Sequence, residues 1–270
     1  MKILSLFDGM SCGQIALNKA GVEYADYFAA EINDYAIKVT QKNYPRTIQL
    51  GDVTKVEAHA LPGIDLLIGG SPCQGFSFAG KQLDFDDPRS KLFFEYVRLL
   101  KELKPKFFLL ENVPMKKQCE AVISEYLGVY PVKIESAVFS AQSRTRLYWT
   151  NIPINPLPKD KGLLLRDIYA PGSGKHLTPR TAQRPRTIRN TRGLHQKAYC
   201  LLATMYKGSQ TNGMTVIDDN GLRCITPLEA ERLQTVPDKY TDCVSDTRRY
   251  EMLGNGWTVD VVAHIFKGMK

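Results

Sequence analysis

Gly69-Gly70-Ser71-Pro72-Cys73-Gln74-Gly75-Phe76-Ser77 follows directly on the apolar run Ile64-Asp65-Leu66-Leu67-Ile68. A run of that length, bounded by glycine and proline, reads as a buried strand that ends abruptly in a loop. Cys73 therefore stands at a strand's carboxyl end, the edge at which open α/β sheets bind ligands. Pro72 fixes its own φ, and the flanking glycines allow backbone shapes that other residues resist. A thiol aimed by such a loop serves as a nucleophile where its surroundings favour the thiolate. Taken alone, the stretch equally suits a small buried cysteine in a turn, so the reading depends on what the neighbouring strand ends carry.

The amino terminus repeats the arrangement. Lys2-Ile3-Leu4-Ser5-Leu6-Phe7 reads as a first buried strand, Asp8-Gly9-Met10-Ser11-Cys12-Gly13 as a turn, and Ile15, Ala16, Leu17 and Ala20 as the apolar face of a helix. Strand, glycine turn and helix bring backbone N–H groups to a nucleotide-like ligand. The turn is neither a Gly-x-Gly-x-x-Gly fingerprint nor a P-loop. Tyr27-Phe28-Ala29-Ala30-Glu31 is a second strand ending in a carboxylate. Glu31 is placed to accept from both ribose hydroxyls of a nucleoside, or else to start the helix expected from Asn33. A third short strand leads to Gly51-Asp52-Val53, where Asp52 can receive an adenine amino group and Val53 can pack on the ring.

Beyond Cys73, the stretch from Gly75 to Pro88, with the acidic run Asp84-Phe85-Asp86-Asp87, reads as a lid hinged at Gly75 and Gly80. Leu92, Phe93, Tyr96, Val97, Leu99 and Leu100 then recur at helical spacing. Phe107-Phe108-Leu109-Leu110 is another buried strand and delivers Glu111-Asn112-Val113 to the edge shared with Cys73. A carboxyl facing a thiol over one pocket provides acid and nucleophile, the pair that addition to an aromatic base requires. By itself Glu111 suits a helix cap or a salt bridge as well. Residues 132–138 alternate as a strand, and Gln142-Ser143-Arg144-Thr145-Arg146 leads into Leu147-Tyr148-Trp149. Alternation puts Arg144 and Arg146 on one face, suited to an anion, to a polarised carbonyl, or to an exposed basic edge.

Composition bounds these readings. The 270 residues suffice for one large α/β domain, or for a large and a small one. No apolar run reaches membrane-spanning length, and Met1-Lys2 enters a strand without a signal-peptide pattern, so a soluble cytoplasmic protein without membrane partners is expected. Six dispersed cysteines lack any Cys-x-x-Cys pair, and the four histidines stand apart. Neither a zinc site nor a disulfide framework is indicated, and chemistry without metal is expected. Residues 159–207 carry eleven cationic side chains against Asp160 and Asp167, so this segment holds +9 and the remainder about −1 of the chain's formal +8. A patch so lopsided and arginine-rich points to a polyanion rather than to a surface made basic for solubility.

In order and spacing, Phe7 to Gly13, Gly70-Ser71-Pro72-Cys73-Gln74, Glu111-Asn112-Val113 and Gln142 to Arg146 resemble the cytosine-C5 DNA methyltransferase family. Thr226-Pro227-Leu228-Glu229-Ala230-Glu231-Arg232-Leu233-Gln234 is similar to its penultimate helix, and Gly254-Asn255-Gly256-Trp257-Thr258-Val259 to its last cofactor motif. The likeness covers nearly the whole chain except about 157–222. Asp8 and Trp257 resemble the animal de novo branch and its phage or bacterial relatives more than typical restriction-modification enzymes. Ser11 and Cys12 stand where many relatives have glycine.

The resemblance implies the Rossmann-like α/β fold of S-adenosylmethionine-dependent methyltransferases, a mostly parallel seven-stranded sheet with a small target-recognition region. The expected division is a catalytic and cofactor-binding domain over 1–156, a basic target-recognition region over 157–222, and carboxyl-terminal helices over 223–270 that complete the first. It implies S-adenosylmethionine as methyl donor, S-adenosylhomocysteine as product, and a flipped cytosine in duplex DNA as substrate. Cys73 matches the nucleophile, Glu111 the acid at cytosine N3, and Arg144 and Arg146 the arginines around the base. Phe7, Asp8, Gly9, Met10 and Ser11 match cofactor contacts, as do Glu31, Ile32, Asp52, Val53, Pro72 and Leu92, and from the last motif Asn255, Gly256 and Trp257. Gln74, Ser77, Arg89 and Ser90 are expected at the DNA backbone, and Arg184, Arg186, Arg189 and Arg192 as the reader, on a monomer. The alternatives are a transfer-RNA cytosine methyltransferase, a catalytically silent DNA-binding homologue and, with no histidine readable near Cys73, a thiol hydrolase. The recognition sequence and any nuclease partner are not written in these motifs.

Overall fold

The computed structural model describes residues 1–71, 88–170, 174–206 and 214–270, without the side chains of 88–90. Strands β1 (Lys2–Leu6), β2 (Asp26–Ala30), β3 (Ile48–Gln49), β4 (Leu66–Gly69), β5 (Phe107–Asn112), β6 (Val132–Glu135) and β7 (Thr145–Thr150) form a seven-stranded sheet in the order β3-β2-β1-β4-β5-β7-β6. The pairs β1–β2, β1–β4, β2–β3 and β4–β5 are parallel, and β5–β7 is antiparallel. The mostly parallel sheet expected from the sequence is thus the one the chain forms. Strands β1, β2 and β4 are near-continuous buried runs, the pattern of parallel strands covered on both faces.

Helices α1 (Cys12–Ala20), α2 (Asp34–Asn43), α3 (Pro88–Leu103) and α4 (Lys117–Leu127) connect these strands. Asn33 caps α2 by accepting from the N–H groups of Tyr35 and Ala36. Gly21 and Gly128 close α1 and α4 in the left-handed conformation. A Cβ at Gly13 would lie 2.5 Å from Ile68 Cδ1 and 2.6 Å from Tyr27 Oη, so a larger residue there would have to displace the ends of both side chains. The core beneath combines Leu4, Leu6, Leu67 and Leu110 of the sheet with Phe93, Tyr96 and Leu99 of α3 and Trp149 of β7. Strand order reverses between β1 and β4, with β2 and β3 laid on one side and β5 on the other, which makes their carboxyl ends the switch point at which such sheets bind ligands.

The expected strand over 132–138 is shorter. β6 stops at Glu135, and a 3₁₀ turn occupies Ser136–Val138. Glu135 accepts from Ala137 N–H and from Arg144 N–H, which ends the extended run.

The chain divides into two compact units: residues 1–134, 145–155 and 263–270 form one, and residues 135–144 and 156–262 the other. The second contains the short helices α5 (Leu165–Ile168), α6 (Pro179–Ala182) and α7 (Pro185–Asn190), and a three-stranded sheet of β8 (Thr191–Gly193), β9 (Thr215–Asp218) and β10 (Gly221–Cys224). Helices α8 (Pro227–Leu233) and α9 (Asp246–Asn255) follow, and α10 (Val259–Phe266) runs from this unit into the first. Residues 223–262, expected with the catalytic domain, fall in this second unit. Arg223 is its buried hub, with Nε 2.7 Å from Asp218 and Nη2 2.7 Å from Glu229. Glu229 also completes a capping box with Thr226 at the start of α8. Among the described residues no helix is long and apolar enough to cross a membrane.

Candidate active site

In the first unit, the turn after β1 is bent into an unusual shape. Phe7, Gly9 and Ser11 have φ of 57°, 58° and 62°, left-handed values that are strained for phenylalanine and serine. Bonds from Asp8 N–H to Ala30 O (3.3 Å) and from Gly9 N–H to Glu31 Oε2 (2.7 Å) hold the turn against the end of β2. Glu31 Oε1 accepts from Ile32 and Asn33 N–H, both at 2.9 Å. The carboxylate is therefore fixed at the strand end, as its sequence position suggested. Ile32 beside it is 75 % exposed, an apolar surface on a polar edge. Met10 and Val53 are instead buried, and Leu92 packs partly buried against the core.

Asp8 is the electrostatic outlier. Tyr27 donates to its Oδ1 at 2.7 Å, while Oδ2 is enclosed without a hydrogen-bond partner, although the residue as a whole keeps some accessible surface. Burial raises its pKa to about 6, against hydrogen bonds from Ser5, Tyr27 and Ser11 that lower it. Asp52 caps a 3₁₀ turn, and the Thr54 N–H and hydroxyl hold its exposed carboxylate below the usual range.

At the end of β5, Glu111 is 8 % exposed and its Oε1 lies 3.0 Å from Arg146 Nε. The register explains the pair: Glu111 lies opposite Tyr148, so Arg146, two residues along β7, is its diagonal neighbour. The next residue, Asn112, is 2 % exposed and donates to Ser71 O (3.3 Å) and Oγ (3.4 Å), tying the end of β5 to the residue that leaves β4. Pro72, Cys73, Gln74 and Ser77 lie outside the described residues, as do the side chains of Arg89 and Ser90.

Arg144 does not share a face with Arg146. β7 begins at Thr145, so alternation does not reach it. Within the second unit its guanidinium is buried at 3 % and donates to the carbonyls of Leu201 (2.9 Å), Gly254 (3.1 Å) and Gly256 (2.9 Å), with Cys200 Sγ at 3.3 Å. It therefore pins the turn that carries Asn255, Gly256 and Trp257. In the same unit, Arg184, Arg186 and Arg189 cluster on and before α7 with Ile188, which is 62 % exposed. The Arg192 guanidinium stacks 3.6 Å over the Tyr199 ring.

Two residues of the site receive no role from the sequence: Tyr27, the donor to Asp8, and Asn112, which stands in a quoted motif but whose tether to Ser71 only the structure shows. Tyr27 looks like any strand aromatic, and only the enclosed carboxylate reveals its task. Within the first unit the residues fit S-adenosylmethionine: Glu31 for the ribose hydroxyls, Asp52 for an amino group, Ile32 for an apolar ring, and the unpartnered Asp8 Oδ2 for a cation or donor. Among the described residues no group of His, Cys, Asp and Glu could hold a metal ion.

Sheet order, a strained turn at the switch point and acidic strand ends define a protein of the Rossmann-like α/β class. The profile of the C-5 cytosine-specific DNA methylase family matches residues 1–127 and 129–270, and the chain belongs to that family. It is 30 % identical over 305 residues to the type II methyltransferase M1.ScrFI of Lactococcus lactis subsp. cremoris, covering 99 % of this chain and 77 % of that protein. With the type II methyltransferase M.NlaX of Neisseria lactamica it shares 31 % identity over 304 residues, covering 100 % and 96 %. The crystal structure of the S. pombe Dnmt2 methyltransferase superposes with a TM-score of 0.82 at 19 % identity, covering 99 % of this chain and 97 % of that one, a likeness of fold. The chain is thus an enzyme of the C5-cytosine methyltransferase class.

Proposed function

We propose that this enzyme methylates C5 of a cytosine swung out of duplex DNA, with Cys73 as nucleophile and Glu111 as acid. The observation that carries the reading is the Glu111–Arg146 pair at the end of β5, tied through Asn112 to Ser71, two residues before Cys73. The base must be extruded, because its ring atoms are out of reach inside a duplex. The Cys73 thiolate adds to C6, and Glu111 delivers a proton to N3. Arg146 fixes the carboxyl and brings a guanidinium to the same base, suited to its carbonyl oxygen. S-adenosylmethionine, when bound, supplies the methyl group that C5 receives. Loss of the C5 proton to solvent water then expels the sulfur as thiolate, and the N3 proton returns to Glu111, which restores the enzyme.

Glu31, Asp52, Ile32, Leu92 and the turn from Phe7 to Ser11 are the cofactor residues of the first unit, and the family motifs assign Pro72, Asn255, Gly256 and Trp257 to the same cofactor. The basic second unit reads the DNA: Arg184, Arg186 and Arg189 bind phosphates, and Arg192, stiffened on Tyr199, is the arginine best prepared for a guanine edge. Gln74, Ser77, Arg89 and Ser90 complete the hold on the target strand.

Bisulfite sequencing of DNA from cells expressing the chain, with Cys73→Ser as control, tests this directly. 5-Methylcytosine at a defined sequence that disappears in the variant is expected. Incubation of the purified enzyme with duplex DNA and with transfer RNA in parallel gives product on DNA, and product confined to the RNA would overturn the substrate assignment.

A further inference from the structure

The stretch Thr226 to Gln234 takes no part in the chemistry above, yet its last residue sits at the centre of a closed hydrogen-bond lattice within the second unit. Gln234 is fully buried. An amide offers two acceptor sites and two donors, and here all four are used. Oε1 accepts from Gln142 Nε2 at 2.8 Å and from Thr258 Oγ1 at 2.9 Å. Nε2 donates to Leu253 O at 2.7 Å and to Gly256 O at 3.1 Å. The Gln234 carbonyl accepts from Val259 N–H at 2.9 Å. Gln142, itself fully buried, returns to the same helix end through Leu233 O at 2.7 Å.

These partners bracket one short segment. Leu253, Gly256, Thr258 and Val259 lie before, within and after Gly254-Asn255-Gly256-Trp257. Arg144 adds bonds to the carbonyls of Gly254 and Gly256. Gly254 rests so closely on the neighbouring chain that a Cβ there would lie 2.2 Å from Ala203 N. Asn255 itself is exposed and Trp257 only partly buried, so the residues facing outward are held by the main chain on either side of them. This buried amide has one acceptable orientation, because rotation would face its donors with the Gln142 amide nitrogen and its acceptor with two carbonyls.

We propose that Gln234 is a positioning residue for the cofactor: with Gln142, Thr258 and Arg144 it sets the backbone from which Asn255 and Trp257 meet S-adenosylmethionine. This rests on the assignment of Asn255 to Trp257 as cofactor contacts made above. Gln234 touches no substrate and acts only through that segment.

The test measures S-adenosylhomocysteine binding by calorimetry for the parent and for Gln234→Met, Thr258→Val and Thr241→Val. The last removes a buried hydroxyl that bonds Glu231 and Arg249 in the same unit but not the segment, and so controls for stability alone. A second readout is acrylamide quenching of tryptophan in the free protein. The chain has two tryptophans and Trp149 is fully buried, so quenching reports Trp257. Gln234→Met is expected to weaken binding tenfold or more and Thr258→Val severalfold. Both should raise the quenching constant and leave duplex-DNA affinity within twofold. Thr241→Val should lower the unfolding temperature without moving either readout. If Gln234→Met does not fold, Thr258→Val and the control decide. Parental affinity and quenching in the segment variants, or an equal loss in Thr241→Val, would overturn the proposal. A parent that binds no S-adenosylhomocysteine would instead overturn the cofactor reading on which it stands.

Discussion

Asp8 holds a carboxyl that the fold prefers protonated. Its pKa is raised from 3.8 to about 6, chiefly by burial, so its contribution to stability is complete below about pH 4 and is lost as pH rises through 6. Asp8→Asn keeps an acceptor for Tyr27 and removes the ionisation. In the free protein it should gain about 3 kcal/mol over the parent above pH 7 and nothing at pH 4. Urea unfolding across that range checks this, and a constant difference between the two proteins would contradict it. The same substitution takes an anion from the cofactor turn, so the gain in stability should come with weaker S-adenosylmethionine binding. Glu111 is a different case, held by Arg146 at 3.0 Å. Glu111→Gln preserves shape and removes the proton donor. Turnover should fall about 100- to 10,000-fold with DNA binding intact, and methylation at the parental rate would show that the acid lies elsewhere.

At the level of elements, the second unit encloses a buried charge cluster beside its short strands. Arg223 is 1 % exposed between Asp218 and Glu229, and Glu229 also anchors the start of α8. Arg223→Met leaves two carboxylates enclosed without their cation and should destabilise by about 3–5 kcal/mol, seen as a lower unfolding temperature; a loss below about 1 kcal/mol would show that water reaches the cluster. Strands β1, β4 and β5 are legible in the sequence because parallel strands must be apolar along their length, and Glu31 and Glu111 can be placed at strand ends for the same reason. Arg144 is not legible in its actual role. Its partners are main-chain carbonyls up to 112 residues away, and a carbonyl carries no residue-type signature. Gln142 and Gln234 escape because their partners, side chain and main chain, lie far along the sequence. The end of β6 is hidden because Glu135 closes it by bonds to Ala137 and Arg144 N–H, which no alternation pattern records.

For the molecule as a whole, charge is divided as the chemistry requires: +9 lies in residues 159–207, and the remainder is close to neutral. Duplex-DNA affinity should fall linearly with salt on logarithmic axes, and replacing Arg184, Arg186 and Arg189 by alanine should flatten the slope by about 0.9 for each phosphate left without its arginine. An unchanged slope would place the DNA on another surface. The proposed attack of Cys73 on a cytosine has a more direct test. Duplex DNA carrying 5-fluorocytosine at the methylated position, incubated with S-adenosylmethionine and the enzyme, should give a denaturation-resistant complex, since fluorine cannot leave as the proton does. Peptide mapping should find the DNA on Cys73, and Cys73→Ser should form no such complex. A complex joined through another residue, or none with an enzyme that still methylates ordinary DNA, would contradict the account.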